Sequence, residues 1–254
     1  MVDAYGAKVL VDTGRDVSAL HNADKLGIDL ATIDRIVLSH GHYDHTGGLR
    51  NILSKTKRAI EVIAHPDVFA PKYARRQGTE DRFVGIPFSK KELEDAGAHF
   101  KLTTTPVKIN DHILTTGEIP MITGYEQIDP SLYVKHGDSW QPDPLADDQA
   151  LIIKTGAGLI VILGCAHRGV VNTLLHAQKI TSINKIHTVI GGTHLFTANR
   201  EQVQHTIAAL KQFGVQKLGA SHCTGLPAAA LLAREFGDAF FFNNAGTRIT
   251  LPVN

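Results

Sequence analysis

The densest set of metal-competent side chains in this 254-residue chain is Ser39-His40-Gly41-His42-Tyr43-Asp44-His45-Thr46-Gly47-Gly48-Leu49. Neutral imidazole and carboxylate are the ligands a borderline divalent ion prefers. In a tight turn His40 and His42, two apart, aim at one ion, and Asp44 and His45 aim at a neighbouring one. A plainer reading is a polar loop that caps the following helix through Asp44 or Thr46. A cap needs one such residue, however, and four stand here.

The elements on either side make the ligand reading specific. Ile36-Val37-Leu38 reads as a short buried strand, and residues 49–57 repeat Leu49, Ile52 and Leu53 at helical spacing. The same strand-turn-helix grammar recurs downstream. Residues 159–163 deliver Gly164-Cys165-Ala166-His167, followed by a helix from Gly169 to about Lys179. Residues 185–190 end in Gly191-Gly192-Thr193-His194-Leu195, and residues 215–220 end in Ser221-His222-Cys223-Thr224-Gly225. If these strand ends converge, their imidazoles form a metal cluster at one edge of paired sheets, in a cleft roofed by loops.

The rest of the chain supplies the frame. Residues 8–11 read as a strand closed by Asp12-Thr13-Gly14, and residues 15–26 as a helix with Gly27 as its C-cap. Residues 59–64 form the next strand, ending at His65-Pro66, where His65 reads better as a loop histidine beside a proline turn than as a ligand. Residues 71–88, interrupted by Pro71, Gly78, Gly85 and Pro87 and carrying Tyr73, Arg75 and Arg76, read as a substrate-contact loop. Ser89 to Glu92 has capping-box form. Residues 99–102, 107–109 and 113–116 read as short strands.

Residues 125–148, rich in Pro, Asp and Gly around Trp140, read as an irregular insert that forms a lid. Residues 149–155 and 159–163 flank Gly156-Ala157-Gly158 as a hairpin. Residues 201–213 are amphipathic, and Pro227 suits the first turn of a helix over 226–236. His176 and His205 lie within helices and read as packing residues. Residues 239–243 and 247–251 read as closing strands. No repeat, linker or composition shift divides the chain, so a single domain over 1–254 is expected.

Composition narrows the partners. The net charge is +1, and no run of Lys/Arg exceeds two residues, as at Arg75-Arg76 and Lys90-Lys91. A nucleic-acid or anionic-membrane surface needs a basic stripe, so neither partner is expected, whereas a small anionic substrate is compatible. Two cysteines are too few for a disulfide framework, and no signal segment or apolar run of about 20 residues is present, which points to a cytoplasmic protein.

The pattern H-x-H-x-D-H at His40, His42, Asp44 and His45, with an upstream strand ending in Asp-Thr-Gly, resembles the metallo-β-lactamase superfamily. The segments around His40, His167, His194 and His222 together look like its 7,8-dihydropterin-6-methyl-4-(β-D-ribofuranosyl)aminobenzene-5'-phosphate synthase branch. The resemblance implies an α/β fold, the αββα four-layer sandwich, and two divalent metals. Zinc is the first choice, with manganese or iron as alternatives. His40, His42 and His167 would hold one ion, and Asp44, His45 and His222 the other.

In relatives the counterpart of Asp12 supports the histidine loop by hydrogen bonding; a plain turn and helix cap is the alternative. Cys165 stands where relatives often place a metal-bridging aspartate, and it reads equally as a bridging thiolate or as a small packed thiol. Glu118 stands where many members have a ligating histidine, though a solvated loop glutamate is the commoner case. His194 is a substrate-orienting acid or base, or an additional ligand, with the former favoured.

Two ions about 3.5 to 4 Å apart lower the pKa of a shared water towards roughly 7. The first expectation is therefore a dinuclear metal-dependent hydrolase acting on a small ester, lactone or phosphoester-like bond, with His194 and Asp44 as catalytic residues. The second is the synthase of the resembling branch, a phosphoribosyl transfer in pterin cofactor assembly, with Arg75, Arg76 and Arg168 available for an anion. A non-catalytic metal-binding sensor on the same fold is the third.

Overall fold

Short apolar runs separated by amphipathic segments fold here as parallel strands with helical crossovers. In the computed structural model, which describes residues 1–250, contacts cluster in two compact units. The first comprises Met1–Thr104 and Asp129–Asp147; the second comprises Thr105–Ile128 and Asp148–Asn254.

The main sheet of the first unit runs, in spatial order, Val2–Ala4, Ala7–Val11, Arg35–Val37, Ile60–Ala64 and Ala98–Leu102. The first pair is antiparallel and the others are parallel. Helices Ser18–Leu26, Leu49–Thr56 and Lys90–Asp95 connect these strands. Ile33, Ile36, Leu38, Leu49, Ile52, Val62 and Leu93 form a continuous core in which each is fully buried. The sequence signals act as expected at two helix ends. Gly27 caps Ser18–Leu26 in the left-handed conformation, and Ser89 and Glu92 form both halves of a capping box.

The first unit also holds a four-stranded antiparallel sheet in the order Ser139–Pro142, Leu132–His136, Lys72–Ala74 and Arg82–Phe83. Residues 71–88 and 125–148, which read from the sequence as a loop and an irregular insert, thus contribute two strands each to a sheet. Pro142 is tolerated because its strand lies at the sheet edge. Register explains the composition: Tyr73, Phe83, Tyr133 and Trp140 share one face, where Trp140 and Tyr73 pack edge to face at 5.0 Å and Arg75 lies 4.1 Å over Trp140. Lys72, Leu132 and Val134 are buried on the other face.

The second unit has a six-stranded sheet in the order Phe240–Phe242, Lys217–Ser221, Ile186–Gly192, Gly158–Leu163, Ala150–Thr155 and Ile113–Thr115. The first four strands are parallel, and the last two pair antiparallel. Helices Val170–Thr181, Arg200–Gln212 and Leu226–Phe236 carry the crossovers. Val161, Leu174, Val189, Leu210, Leu218 and Leu232 sit in its core.

Because Leu163 pairs with Gly191 and Gly192 with Ser221, the carboxyl ends of three adjacent parallel strands finish together. In open parallel sheets, ligands bind beyond this edge.

Two expected strands are absent among the described residues. Residues 107–109 make only a single bridge, Lys108 with Leu114, and residues 247–250 are not a strand, while Leu251 lies outside the described residues. No described helix is long and apolar enough to cross a membrane.

Candidate metal centre

Each unit carries its own cluster of metal-competent side chains. In the first, the strand Arg35–Val37 leads through Leu38 and Ser39 into the histidine turn, and His42 precedes the single helical turn Tyr43–Thr46. His40, His42 and His45 are buried. His40 Nε2 lies 3.0 Å from His42 Nδ1, and the His40 and His45 ring centroids are 4.2 Å apart. The Asp44 carboxylate is 3.8 Å from His45 Nε2. All four predicted ligands of this turn are thus gathered in one place.

Asp12 organises the turn from behind. It follows the strand Ala7–Val11 with a left-handed backbone (φ 56°). Its Oδ1 accepts the Ser39 amide N–H at 2.7 Å, and its Oδ2 accepts the Ser39 hydroxyl at 2.8 Å and faces His45 Nδ1 at 2.7 Å. Ser39 Oγ in turn lies 2.9 Å from His40 Nδ1. Nδ1 of both rings is thus engaged by these oxygens. A carboxylate behind a histidine commonly sets a ligand in this way.

A buried charge network supports the same turn. Lys72 Nζ donates to Asp143 at 2.9 Å and Asp147 at 2.8 Å, and Asp147 Oδ2 accepts the Gly41 amide N–H at 2.7 Å. Burial, then the nearby Lys72 charge, lowers the His42 pKa to about 3. The ring is therefore neutral at physiological pH, the form that binds a metal. Sequence reading missed Lys72, Asp143 and Asp147, since nothing in an apparently irregular segment marks a lysine as buried.

In the second unit, the three turns at the strand ends share a backbone feature. Ala166 (φ 52°), His194 (φ 48°) and His222 (φ 51°) are all left-handed non-glycine residues. Such conformations cost of order 1–3 kcal/mol each and gather where function demands them. His167 and Cys165 are buried, His194 is half-buried and His222 is exposed. The His167 and His194 rings are 4.0 Å apart, and the ligating atoms of Cys165, His194 and Cys223 all lie within 4.8 Å of one another.

The His194 amide N–H donates to Cys223 Sγ at 3.3 Å, and the Cys223 thiol donates to the Cys165 carbonyl at 3.7 Å. The Cys165 side chain holds the Cys223 thiol well below its ordinary range; burial opposes this and His194 adds to it. Cys223 was not singled out from the sequence, although it directly follows His222.

Other expected residues have different work. His65 caps the turn Pro66–Phe69 by accepting the Asp67 amide N–H at 3.0 Å. His176 lies 3.1 Å from the Thr116 carbonyl, and His205 stacks on Tyr125. Glu118 accepts from Arg168 at 2.8 Å, and Arg75 is paired with Asp81 at 2.9 Å. Two of the three arginines expected to hold an anion are therefore already engaged.

Oriented imidazoles, the neutral His42 among them, with a carboxylate in one unit, and imidazoles with two thiols in the other, are donor sets that fit a divalent ion of the zinc type. Residues 1–171 match a family profile described as the metallo-beta-lactamase superfamily. The chain belongs to the metallo-β-lactamase superfamily. Its α/β fold is the one that superfamily shares.

A 7,8-dihydropterin-6-methyl-4-(beta-D-ribofuranosyl)-aminobenzene-5'-phosphate synthase from Methanocaldococcus jannaschii is 35% identical, over 96% of this chain and 85% of its own length. The uncharacterized protein MJ0448 of the same organism is 30% identical, over 92% of this chain and 86% of its own. The crystal structure of Tm1679, described as a metal-dependent hydrolase of the beta-lactamase superfamily, superimposes with a TM-score of 0.83. It is 28% identical and covers 96% of this chain and 89% of that one.

The expectation of a hydrolase is corrected by the synthase name of the 35% identical relative. The error has a physical root. Metal ligands disclose that a Lewis acid is held, but not whether the group it activates leaves to water or to another nucleophile.

Proposed function

We propose that this protein is a metal-dependent synthase of pterin cofactor assembly. The joint proposed is between a dihydropterin-6-methyl unit and a ribofuranosylaminobenzene 5'-phosphate, the two parts of the product named for the 35% identical relative, and the phosphoribosyl transfer expected from the sequence is the alternative joint. The observation that carries this is the 35% identity to the synthase of that name across nearly the whole chain. The substrates are small and anionic, and the reaction belongs in the cytoplasm.

His40, His42 and His167 are the proposed ligands of one ion, and Asp44, His45 and His222 those of a second, with zinc the first choice. Asp12 holds the His45 and His40 rings in orientation. The ions would supply Lewis acidity, which neutralises charge building on a leaving oxygen. The nucleophile is the aromatic amine: the new carbon–nitrogen bond would form at the pterin methylene carbon as its carbon–oxygen bond to pyrophosphate breaks, pyrophosphate would leave, and the amine proton would go to a nearby base. Asp44, with 32% of its side chain exposed, is suited to that transfer, and His194 has proton transfer or metal ligation open to it. The insert at 125–148 is proposed to cover bound substrate.

Metal-loaded protein is incubated with a dihydropterin bearing a 6-methylene pyrophosphate ester and with ribofuranosylaminobenzene 5'-phosphate, and the conjugate is sought by mass spectrometry together with pyrophosphate. A parallel reaction supplies a phosphoribosyl donor and 4-aminobenzoate. Product in the first supports the reading; product only in the second moves the synthase to the ribose bond. If neither yields product, the reading is wrong.

A further inference from the structure

Both sulfur atoms of the second unit lie close to the His194 ring. Cys165, His194 and Cys223 come from three different strand ends, separated in sequence by 29 residues between His194 and Cys223 and by 58 between Cys165 and Cys223. Their ligating atoms nevertheless fall within 4.8 Å of one another. Each of the three turns that bring them together carries a left-handed residue at or beside the donor: Ala166 after Cys165, His194 itself, and His222 before Cys223. Strain repeated at each donor is hard to reconcile with mere space-filling, which an unstrained alanine or serine would serve.

The neighbouring backbone makes room for sulfur. A Cβ added at Gly192 would lie 2.7 Å from Cys223 Sγ and 2.5 Å from the Gly164 carbonyl oxygen, so only glycine lets Cys223 reach this position. The Ile186–Gly192 strand thus ends in a glycine next to the sulfur, two residues before the histidine that completes the set.

We propose that Cys165 and Cys223 are thiolate ligands, with the His194 imidazole, of a divalent metal ion in this protein. The assignment rests on the metal-centre reading above and deepens it. Two thiolates and one imidazole form a soft donor set, which selects zinc over magnesium or calcium and favours it over manganese. Three protein ligands leave one tetrahedral position open, the arrangement of a zinc ion that meets substrate rather than one that is purely structural. Both thiol protons are released to solvent when the ion binds, and nothing is oxidised or reduced. His194 is thereby taken out of proton transfer, and Asp44 remains as the base.

The test uses the full chain loaded with cobalt(II) in place of the native ion. Thiolate ligation gives an intense sulfur-to-cobalt charge-transfer band in the near ultraviolet, which histidine and carboxylate ligation cannot produce. The band is expected in the unmodified protein, reduced in Cys165→Ser and in Cys223→Ser, and lost in the double variant, while His194→Gln shifts the visible ligand-field bands. Should the serine variants fail to fold, the unmodified protein still decides the matter: zinc is expected to slow the reaction of both cysteines with a thiol reagent.

Cobalt bound without the charge-transfer band, a band that survives in the double variant, or thiols modified equally fast with and without zinc would overturn the thiolate assignment and leave a histidine–carboxylate centre intact. No cobalt bound at all would overturn both. Synthase activity is measured separately, so loss of the band with activity retained distinguishes this assignment from the proposed function.

Discussion

Asp12 Oδ2 lies 2.7 Å from His45 Nδ1 while the same carboxylate takes the Ser39 amide and hydroxyl at 2.7 and 2.8 Å. One side chain therefore fixes the orientation of His45 directly and that of His40 through Ser39. Asp12→Ala is expected to weaken metal binding by roughly 10–100-fold, the usual loss when a carboxylate behind a ligating histidine is removed. Competition against a chromophoric chelator measures it. Asp12→Asn keeps an acceptor for Ser39 and should fall between the two; equal affinity in all three proteins would mean that Asp12 is only a turn residue.

The neutral state of His42 predicts how the metal-free protein responds to acid. Its pKa falls from 6.5 to about 3 on folding, because of burial and the Lys72 charge. Between those values the unfolded chain takes up a proton that the folded one refuses. This contribution to stability is complete above pH 6.5 and is lost as pH falls towards 3, at a slope of at most about 1.4 kcal/mol per pH unit. Urea titrations of metal-free protein across this range should show a shallower fall in His42→Gln, and identical pH profiles would refute the assignment.

Lys72 is 1% exposed and contacts two carboxylates that are themselves buried. Burial opposes its charge, but Asp147 and Asp143 outweigh this and raise its pKa above the ordinary lysine value. Lys72→Met would leave Asp143 and Asp147 buried without a counter-ion. A loss of about 3–5 kcal/mol is expected from the urea midpoint, since uncompensated buried charge is the costly outcome. Adding Asp143→Asn to Lys72→Met should recover part of the loss. If the double variant is as unstable as the sum of its parts, the network is not the cause.

Much of this was legible beforehand, for a reason visible in particular residues. His40, His42, Asp44 and His45 are local in sequence and bracketed by Ile36-Val37-Leu38 and Leu49, so period and ligand type agree within fourteen residues. His167, His194 and His222 each follow an apolar strand. What was not legible depends on pairing across long separations. Lys72 meets Asp143 and Asp147 over 71 and 75 residues, and no local pattern marks it as buried. The strands Lys72–Ala74 and Leu132–His136 are short and sit among Pro, Gly and Asp, so their alternation is hidden until they pair. Cys223 was overshadowed by His222, because a lone thiol acquires meaning only from its neighbour Cys165.

Glu126 lies in the segment that reads from the sequence as an irregular insert. It is buried and accepts the amide N–H groups of Val171 and Asn172 at 2.8 Å, together with the Thr123 hydroxyl at 3.1 Å. These are donors of the first turn of Val170–Thr181, where a carboxylate also meets the positive end of the helix dipole. Asn172 Oδ1 answers by accepting the Ile122 and Thr123 amides at 2.8 Å, so the segment and the helix clamp each other just after Cys165 and His167. Gly169 admits the contact: its φ is 100°, and a Cβ there would stand 2.3 Å from the Glu126 carboxyl carbon. Glu126→Ala is expected to cost roughly 1–3 kcal/mol, the penalty for stranding buried donors. Gly169→Ala should be destabilising as well, by expelling the same carboxylate. Because both changes break one contact, their combination should fall short of additivity by about 0.5–3 kcal/mol. Hydrogen exchange at Ile122 and Thr123 should quicken in both single variants, and additive losses with unchanged exchange would show that the two residues act apart.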